Sequence, residues 1–323
     1  MRNKLQKNNK ILLFISLMLT IIIIFCSGCA RKQVQEQKRI EYTVVDAQGY
    51  KLEMEHSPHR IISLSISTDE ILLDLVEPER IAALTYLADD LGISNVTEKA
   101  KLVKGRVKDT NPEALLALKP DLLLIPDFIK SETIQSLRDM QLPVYVYKTP
   151  HNIVSIKENI KALGEVVGEN EKANKILQKM EADLQVVRNK LGNIPADKQK
   201  RIIFMRDNGA YYSPEQSFND ICYYAKVKNA LTELNYSKPT EVAQEKIIEL
   251  NPDALILAEW NYDGKHEARE QKENILENDA FASVNAVQNK AVYIIPAKHL
   301  LSLSPSIVKA VAEIAHDVYG IDI

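Results

Sequence analysis

The sequence predicts an α/β protein of two similar lobes, each built on a central parallel sheet and joined by one long helical segment. Three observations carry this. Short apolar, strand-like runs alternate with helical patterns on both sides of the chain's middle, which argues for parallel sheets. A helix-turn-strand unit occurs twice. Glu113–Asp121 runs into Leu122-Leu123-Leu124, and Glu245–Asp253 runs into Ala254-Leu255-Ile256, 132 residues further on. Between the copies, residues 152–191 hold almost no helix breaker beyond Gly164 and Gly168 and repeat apolar residues at helical spacing.

Composition narrows the function classes. The 323 residues suit about two domains. A net charge of -3 gives no basic surface for nucleic acid. None of the 10 glycines lies two residues from another, so neither a dinucleotide fingerprint nor a P-loop can form. Neither H-E-x-x-H nor G-x-S-x-G occurs.

The amino-terminus reads as a targeting segment. Arg2, Lys4, Lys7 and Lys10 precede an apolar run from Ile11 to Cys26, too short to span a bilayer comfortably. The run ends in Ser27-Gly28-Cys29, which resembles a bacterial lipobox and implies cleavage before Cys29 and lipidation of its sulfur. Cys26 stands where that pattern usually has Leu. The alternative is an uncleaved anchor helix; either way the bulk of the chain lies outside the cytoplasm, tethered to the cell membrane on its extracytoplasmic face. The expected organisation is a signal peptide over 1–28, a polar tether over 29–40, a first lobe over 41–152, a helical connector over 153–195 and a second lobe over 196–323.

The elements follow in order. Tyr42–Asp46 and Lys51–Met54 form a hairpin around Gln48-Gly49. Arg60–Leu64 is a buried strand, and Ser67 or Thr68 caps a helix through Leu75, with Asp69 and Glu70 in its first turn. Ile81–Leu84 is a strand. Asn111-Pro112 opens a helix to Leu118. Leu122–Ile125, a helix over Ser131–Met140 and Val144–Tyr147 complete the first lobe. The connector is one helix to about Gly164 and a longer one from about Glu169 to Leu191, stopped by Gly192–Pro195. Strands Ile202–Met205, Ala254–Leu257 and Val292–Ile295 then alternate with helices over Phe218–Tyr224, Gln244–Leu250 and Gln271–Leu276. A last helix runs from a Ser304-Pro305 cap to Tyr319 and ends at Gly320.

Glu113 and Glu245 open equivalent helices. A carboxylate there interacts favourably with the helix dipole by about 0.3–1 kcal/mol. The same pair could dock two cations of a symmetric partner, and arginine would suit, because guanidinium and carboxylate pair bidentately.

Pro58–Ser65 leading into Ser67–Leu72, together with Asn111–Asp121, closely resembles the solute-binding proteins of iron-siderophore, haem and cobalamin ABC importers, the class III periplasmic-binding-protein fold. Phe218–Ala225, the second Pro-Asp unit and the closing helix also fit, so the resemblance covers about residues 40–320. It implies two Rossmann-like lobes joined by one rigid helix, a ligand cleft between them, and no enzymatic activity. It also implies partners: a permease dimer with its cytoplasmic ATPase, engaged through Glu113 and Glu245, which fall on the docking glutamates of the cobalamin-binding relatives. A monomer with no cofactor of its own is expected.

Open α/β sheets bind ligands beyond the carboxyl ends of their strands. That rule selects Ser65, Ser67 and Thr68, then Tyr86, then Asp127 and Phe128 in the first lobe. In the second it selects Arg206, Tyr211 and Tyr212, then Trp260 and Tyr262, then His299. The group is aromatic with a few polar members and suits a large organic ligand. Arg206 is the candidate partner of an anionic group, and His299 the candidate for a chelated metal's open position. The six histidines are scattered, so a metal chelate is preferred to a bare ion. An iron-siderophore is the first choice, cobalamin or haem the next. An extracytoplasmic α/β enzyme is the alternative of another class, but Cys222 sits among Ile221, Tyr223 and Tyr224 in a helical pattern, as a packed residue would.

Overall fold

A computed structural model describes residues 40–206, 209–260 and 267–322. The leader, Cys29 and Tyr262 lie outside these residues. The chain opens with an antiparallel hairpin, β1 (Tyr42–Val45) and β2 (Lys51–Met54), turned at Gly49 with φ +79°. There follow β3 (Ile61–Ser63), α1 (Ile66–Leu75), β4 (Ile81–Thr85), α2 (Thr97–Ala100), β5 (Arg106–Val107), α3 (Pro112–Ala117), β6 (Leu122–Pro126), α4 (Ser131–Asp139) and β7 (Val144–Tyr147). The five strands form one sheet in the order β5-β4-β3-β6-β7, parallel throughout. Every residue of β3, β6 and β7 is buried. Continuous apolar runs such as Leu122–Ile125 are therefore strands covered on both faces.

Two helices carry the chain across. Asn152 caps α5 (Ile153–Val166): its side chain accepts from the Ser155 N–H at 2.8 Å, and the Ser155 hydroxyl accepts from the Asn152 N–H at 3.1 Å. A turn through Gly168, φ +75°, leads into the 22-residue α6 (Asn170–Leu191). At 1.5 Å per residue this helix is about 33 Å long. Gly164 lets the two helices approach closely, since a Cβ there would lie 2.4 Å from that of Ala173.

The second half comprises β8 (Arg201–Arg206), β9 (Gly209–Tyr212), α7 (Ser217–Tyr224), β10 (Lys228–Asn229), β11 (Thr240–Val242), α8 (Gln244–Leu250), β12 (Ala254–Glu259), α9 (Glu267–Glu277), α10 (Asn285–Gln288), β13 (Val292–Pro296), α11 (Ala297–Leu300) and α12 (Ile307–Tyr319). Its sheet runs β11-β9-β8-β12-β13, with β10 beside the start of β8. The β8, β12 and β13 strands are parallel, as expected, and the two-residue β10 joins them in parallel without having been expected. β9 and β11 extend that core as an antiparallel edge that the sequence did not announce. Helix α6 packs on α1 and also on α7 and α12. One hydrophobic cluster therefore runs through both halves, holding Leu72, Leu124, Leu184, Ile256 and Ile314 together.

The internal repeat has a mechanical basis. The Asp121 carboxylate accepts from the backbone N–H groups of His59 and Arg60, each at 2.7 Å. Asp253 accepts from the Arg201 N–H at 2.8 Å. Arg60 donates to the carbonyls of Leu118 and Lys119, and Arg201 donates to that of Asn251. Each Pro-Asp turn thus clamps a helix end to the start of the neighbouring strand. The equivalent Lys119 and Asn251 both take positive φ, 49° and 44°. The repeat therefore includes a leading Arg-Ile-Ile, at Arg60-Ile61-Ile62 and Arg201-Ile202-Ile203.

Two helix starts differ from expectation. Ser65 caps α1, its hydroxyl accepting from the Thr68 N–H at 3.3 Å; Ser67 and Thr68 lie inside the helix. The last helix begins at Ile307 rather than at Ser304, whose hydroxyl is engaged by Glu70.

Candidate functional site

The carboxyl ends of the strands in both halves border one cavity of about 600 Å3. That volume suits a drug-sized organic ligand. From the first half come the residues after β3, β4, β5, β6 and β7. From the second come Trp260 after β12 and a stretch after β13 that includes Lys298 and Leu301–Leu303.

The α1 amino-terminus forms one wall. The Ser65 hydroxyl shares hydrogen bonds with Ser67 at 3.1 Å and with the Tyr147 hydroxyl at 2.6 Å, and donates to the Thr68 hydroxyl at 3.1 Å. Burial pushes the Tyr147 phenol up to about 12, so it stays neutral. Beneath this wall, Asp69 accepts from the Thr85 N–H at 3.1 Å and from the Thr85 hydroxyl, tying α1 to the end of β4. Burial raises the Asp69 carboxyl to about 7, against the hydrogen bonds from Thr85 and Ser63 that stabilise its charge. This tie sets Thr85 and Tyr86 at the cavity.

The two halves also meet directly beside the cavity. Glu70 accepts from the Asn95 N–H at 2.9 Å and from the Ser304 hydroxyl of the second half. The Asn95 amide donates to the Lys298 carbonyl at 2.8 Å, and the Lys298 ammonium donates to the Leu91 carbonyl at 3.0 Å.

Of the residues expected in the cleft, Ser65, Ser67, Tyr86, Phe128 and Trp260 line the cavity. Thr68 does not: it is fully buried beneath the wall. Arg206, Tyr211 and Tyr212 lie outside the lining. The reason is β9, which pairs antiparallel with β8 where a crossover to a helix was expected. The Arg206 guanidinium instead stands 5.5 Å from the Tyr211 ring centroid, and Tyr212 is buried against Tyr236. His299 is likewise absent from the lining; its Nδ1 lies 2.8 Å from a carboxylate oxygen of Glu313 on α12. Asp127 turns to Thr149, accepting from its N–H at 3.0 Å and its hydroxyl at 2.6 Å.

Some lining residues escaped the sequence reading. Tyr147 ends β7 and Thr149 follows it, so the strand-end rule could have found them. Lys108–Thr110 follow β5, a two-residue strand with no pattern to reveal it. Glu70 read as a helix-dipole acid, and no signal marked Leu301–Leu303. Among the described residues, no group of three or more His, Cys, Asp or Glu is placed to hold a metal ion. Cys222 is buried, and burial pushes its thiol well up, so it is packed rather than poised to react.

Glu113 and Glu245 occupy the first turns of α3 and α8, both exposed. Among the described residues, neither side chain has a hydrogen-bond partner in the chain.

A two-lobed α/β scaffold with a ligand-sized cavity at its strand ends defines a binding protein. The chain belongs to the periplasmic binding protein family, which it matches over residues 61–299. It is 24% identical over 318 residues to an uncharacterized ABC transporter substrate-binding lipoprotein, YvrC, of Bacillus subtilis, covering 93% of this chain and 95% of that one. It is 25% identical to the iron-uptake system-binding protein of the same organism, over 87% of this chain and 89% of the relative. A periplasmic binding protein of Veillonella parvula superposes with a TM-score of 0.73 at 19% identity, over 87% of this chain and 98% of its own. These relatives are solute-binding proteins, and the chain is a binding protein rather than an enzyme.

Proposed function

We propose that this chain is the lipid-anchored, extracytoplasmic receptor of an ABC importer and captures a metal chelate, an iron-siderophore in the first place, in the cavity between its halves. The observation that carries the reading is the cavity itself. It is large and mostly apolar, with hydroxyls from Ser65, Ser67, Thr110, Thr149 and Ser302 at its wall. A bare ion needs a converging set of donor side chains. An organic chelate needs apolar area and a few orienting hydroxyls, which this wall offers. The relative named as an iron-uptake system-binding protein supports iron as the metal. Lipidation of Cys29 supplies the tether. Cobalamin or haem is the second reading within the class; the paired exposed acids Glu113 and Glu245, which we assign to docking on the permease dimer, favour cobalamin of these two.

The test separates capture from delivery. In cells carrying the doubly substituted Glu113→Lys, Glu245→Lys protein, chelate uptake falls at least tenfold, while the purified protein binds its ligand as the wild type does. Loss of ligand binding with the fold intact, or uptake at the wild-type rate, would contradict the docking assignment.

A further inference from the structure

The halves are joined by the apolar packing of α6 on α1, α7 and α12, and also by a polar seam at the cavity. Among the described residues, the Ser304 hydroxyl donates across the seam to Glu70. The Asn95 amide donates to the Lys298 carbonyl at 2.8 Å, and the Lys298 ammonium to the Leu91 carbonyl at 3.0 Å. The Lys309 ammonium reaches the Asn95 Oδ1 at 3.5 Å. Glu70, Leu91 and Asn95 belong to the first half, and Lys298, Ser304 and Lys309 to the second.

Glu70 is the centre of this seam. It is a carboxyl group on α1 that is only 5% exposed, and its two oxygens are engaged from opposite halves. Oε1 accepts from the Asn95 N–H at 2.9 Å and from the Asn95 amide at 3.1 Å, while Oε2 accepts from Ser304. The support continues behind it. The buried Ser304 hydroxyl accepts from the Ser306 N–H at 3.2 Å and shares a hydrogen bond with Ser302 at 2.9 Å. Every buried polar side-chain atom of the seam has a partner. A buried polar network satisfied in this way is rigid. Hydrogen bonds are lost beyond about 3.5 Å, so parting the halves by about an ångström breaks the whole seam together.

The seam shares Glu70, Lys298 and Ser302 with the cavity wall. Asn95 and Ser304 stand behind that wall and do not line it. We propose that Asn95 and Ser304 are positioning residues: through Glu70 they lock the two halves at one spacing and so set the width of the cavity. Such a cavity selects its ligand by fit to a fixed gap. The inference goes beyond the chelate reading and stands whatever the ligand's chemistry.

Trp260, the one tryptophan of the chain, lines the cavity and reports its opening without a label or a ligand. Acrylamide quenching of its fluorescence is measured on the purified full chain, on Ser304→Ala and on the double variant Asn95→Ala, Ser304→Ala. Quenching rises in Ser304→Ala and rises further in the double variant, to about 1.5 times the wild-type constant or more, as the halves part. Ser304→Ala removes a single hydroxyl and carries the test alone if the double variant fails to fold, which circular dichroism shows. Leu137→Ala is the control. Leu137 is fully buried on α4 in a separate apolar cluster, so its loss lowers stability without touching the seam. Its unfolding midpoint falls while its Trp260 quenching stays at the wild-type value. Wild-type quenching in folded Ser304→Ala and in the folded double variant overturns the proposal. An equal rise in Leu137→Ala also overturns it, since any loosening of the chain would then open the cavity.

Discussion

The two halves share a building plan but use their strand ends differently. In the first half all five strands of the larger sheet are parallel, so each delivers its following residues to the same edge. Residues after β3, β4, β5, β6 and β7 all reach the cavity. In the second half, β8 is followed by the antiparallel β9, and Gly209–Tyr212 lie within the sheet between β8 and β11. Only the ends of β12 and β13 deliver there among the described residues. A single change of strand direction therefore decides how many strand ends each half delivers to the cavity.

The comparison can be broken first at the level of stability. Leu124 and Ile256 are fully buried at equivalent repeat positions and belong to the one cluster that runs through both halves. Leu124→Ala and Ile256→Ala should each lower stability by about 2–5 kcal/mol. If the shared core couples the halves, both variants shift one denaturant transition measured by fluorescence and circular dichroism alike. Two separate transitions would show halves that unfold independently.

The next effect belongs to the first half alone. Asp69 titrates at about 7 in the folded chain against an ordinary value of 3.8. The folded chain thus holds a proton that the unfolded chain releases between those values. Stability from this group is complete below about pH 4 and is lost as pH rises to about 7, by at most about 4 kcal/mol. Asp69→Asn keeps an acceptor for Thr85 and cannot ionise. Denaturant titrations from pH 4 to 8 should show a smaller loss of stability with rising pH than in the wild type. Equal slopes would rule Asp69 out as the source.

A smaller difference separates the two turn clamps. Asp121 holds two backbone N–H groups and Asp253 one. Asp121→Ala should destabilise by about 1–3 kcal/mol, and Asp253→Ala by less, in equilibrium unfolding. The smallest effect is on binding. Arg206→Ala removes a side chain that faces Tyr211 outside the cavity, and ligand affinity should stay within about twofold of wild type by calorimetry. A large loss would place the β8–β9 edge at the ligand after all.

Much of this architecture was legible beforehand. Apart from the two-residue β5 and β10, the strands of both sheets' parallel parts were readable because strands buried on two faces are continuously apolar, as Val144–Tyr147 is. Asn111-Pro112 announced α3, and Glu169–Leu191 announced α6, through capping chemistry and helical spacing. Ser65, Ser67, Tyr86, Phe128 and Trp260 could be placed by the strand-end rule alone. The rule failed for Arg206, Tyr211 and Tyr212 because it presumes a crossover after each strand, and a short antiparallel return has no distinct periodicity. It failed for His299 because a local pattern does not show a partner such as Glu313, 14 residues further on across the turn into α12.

Local chemistry was enough for the class of fold, the repeat and its two acids, since apolar runs, caps and Pro-Asp turns act over a few residues. The composition of the cavity was not. It depends on strand direction in the second sheet, on a Glu70–Ser304 bond across 234 residues, and on the register that sets Phe128 and Trp260 at matching stations. Those are agreements between distant segments, and only packing of the whole chain brings them into being.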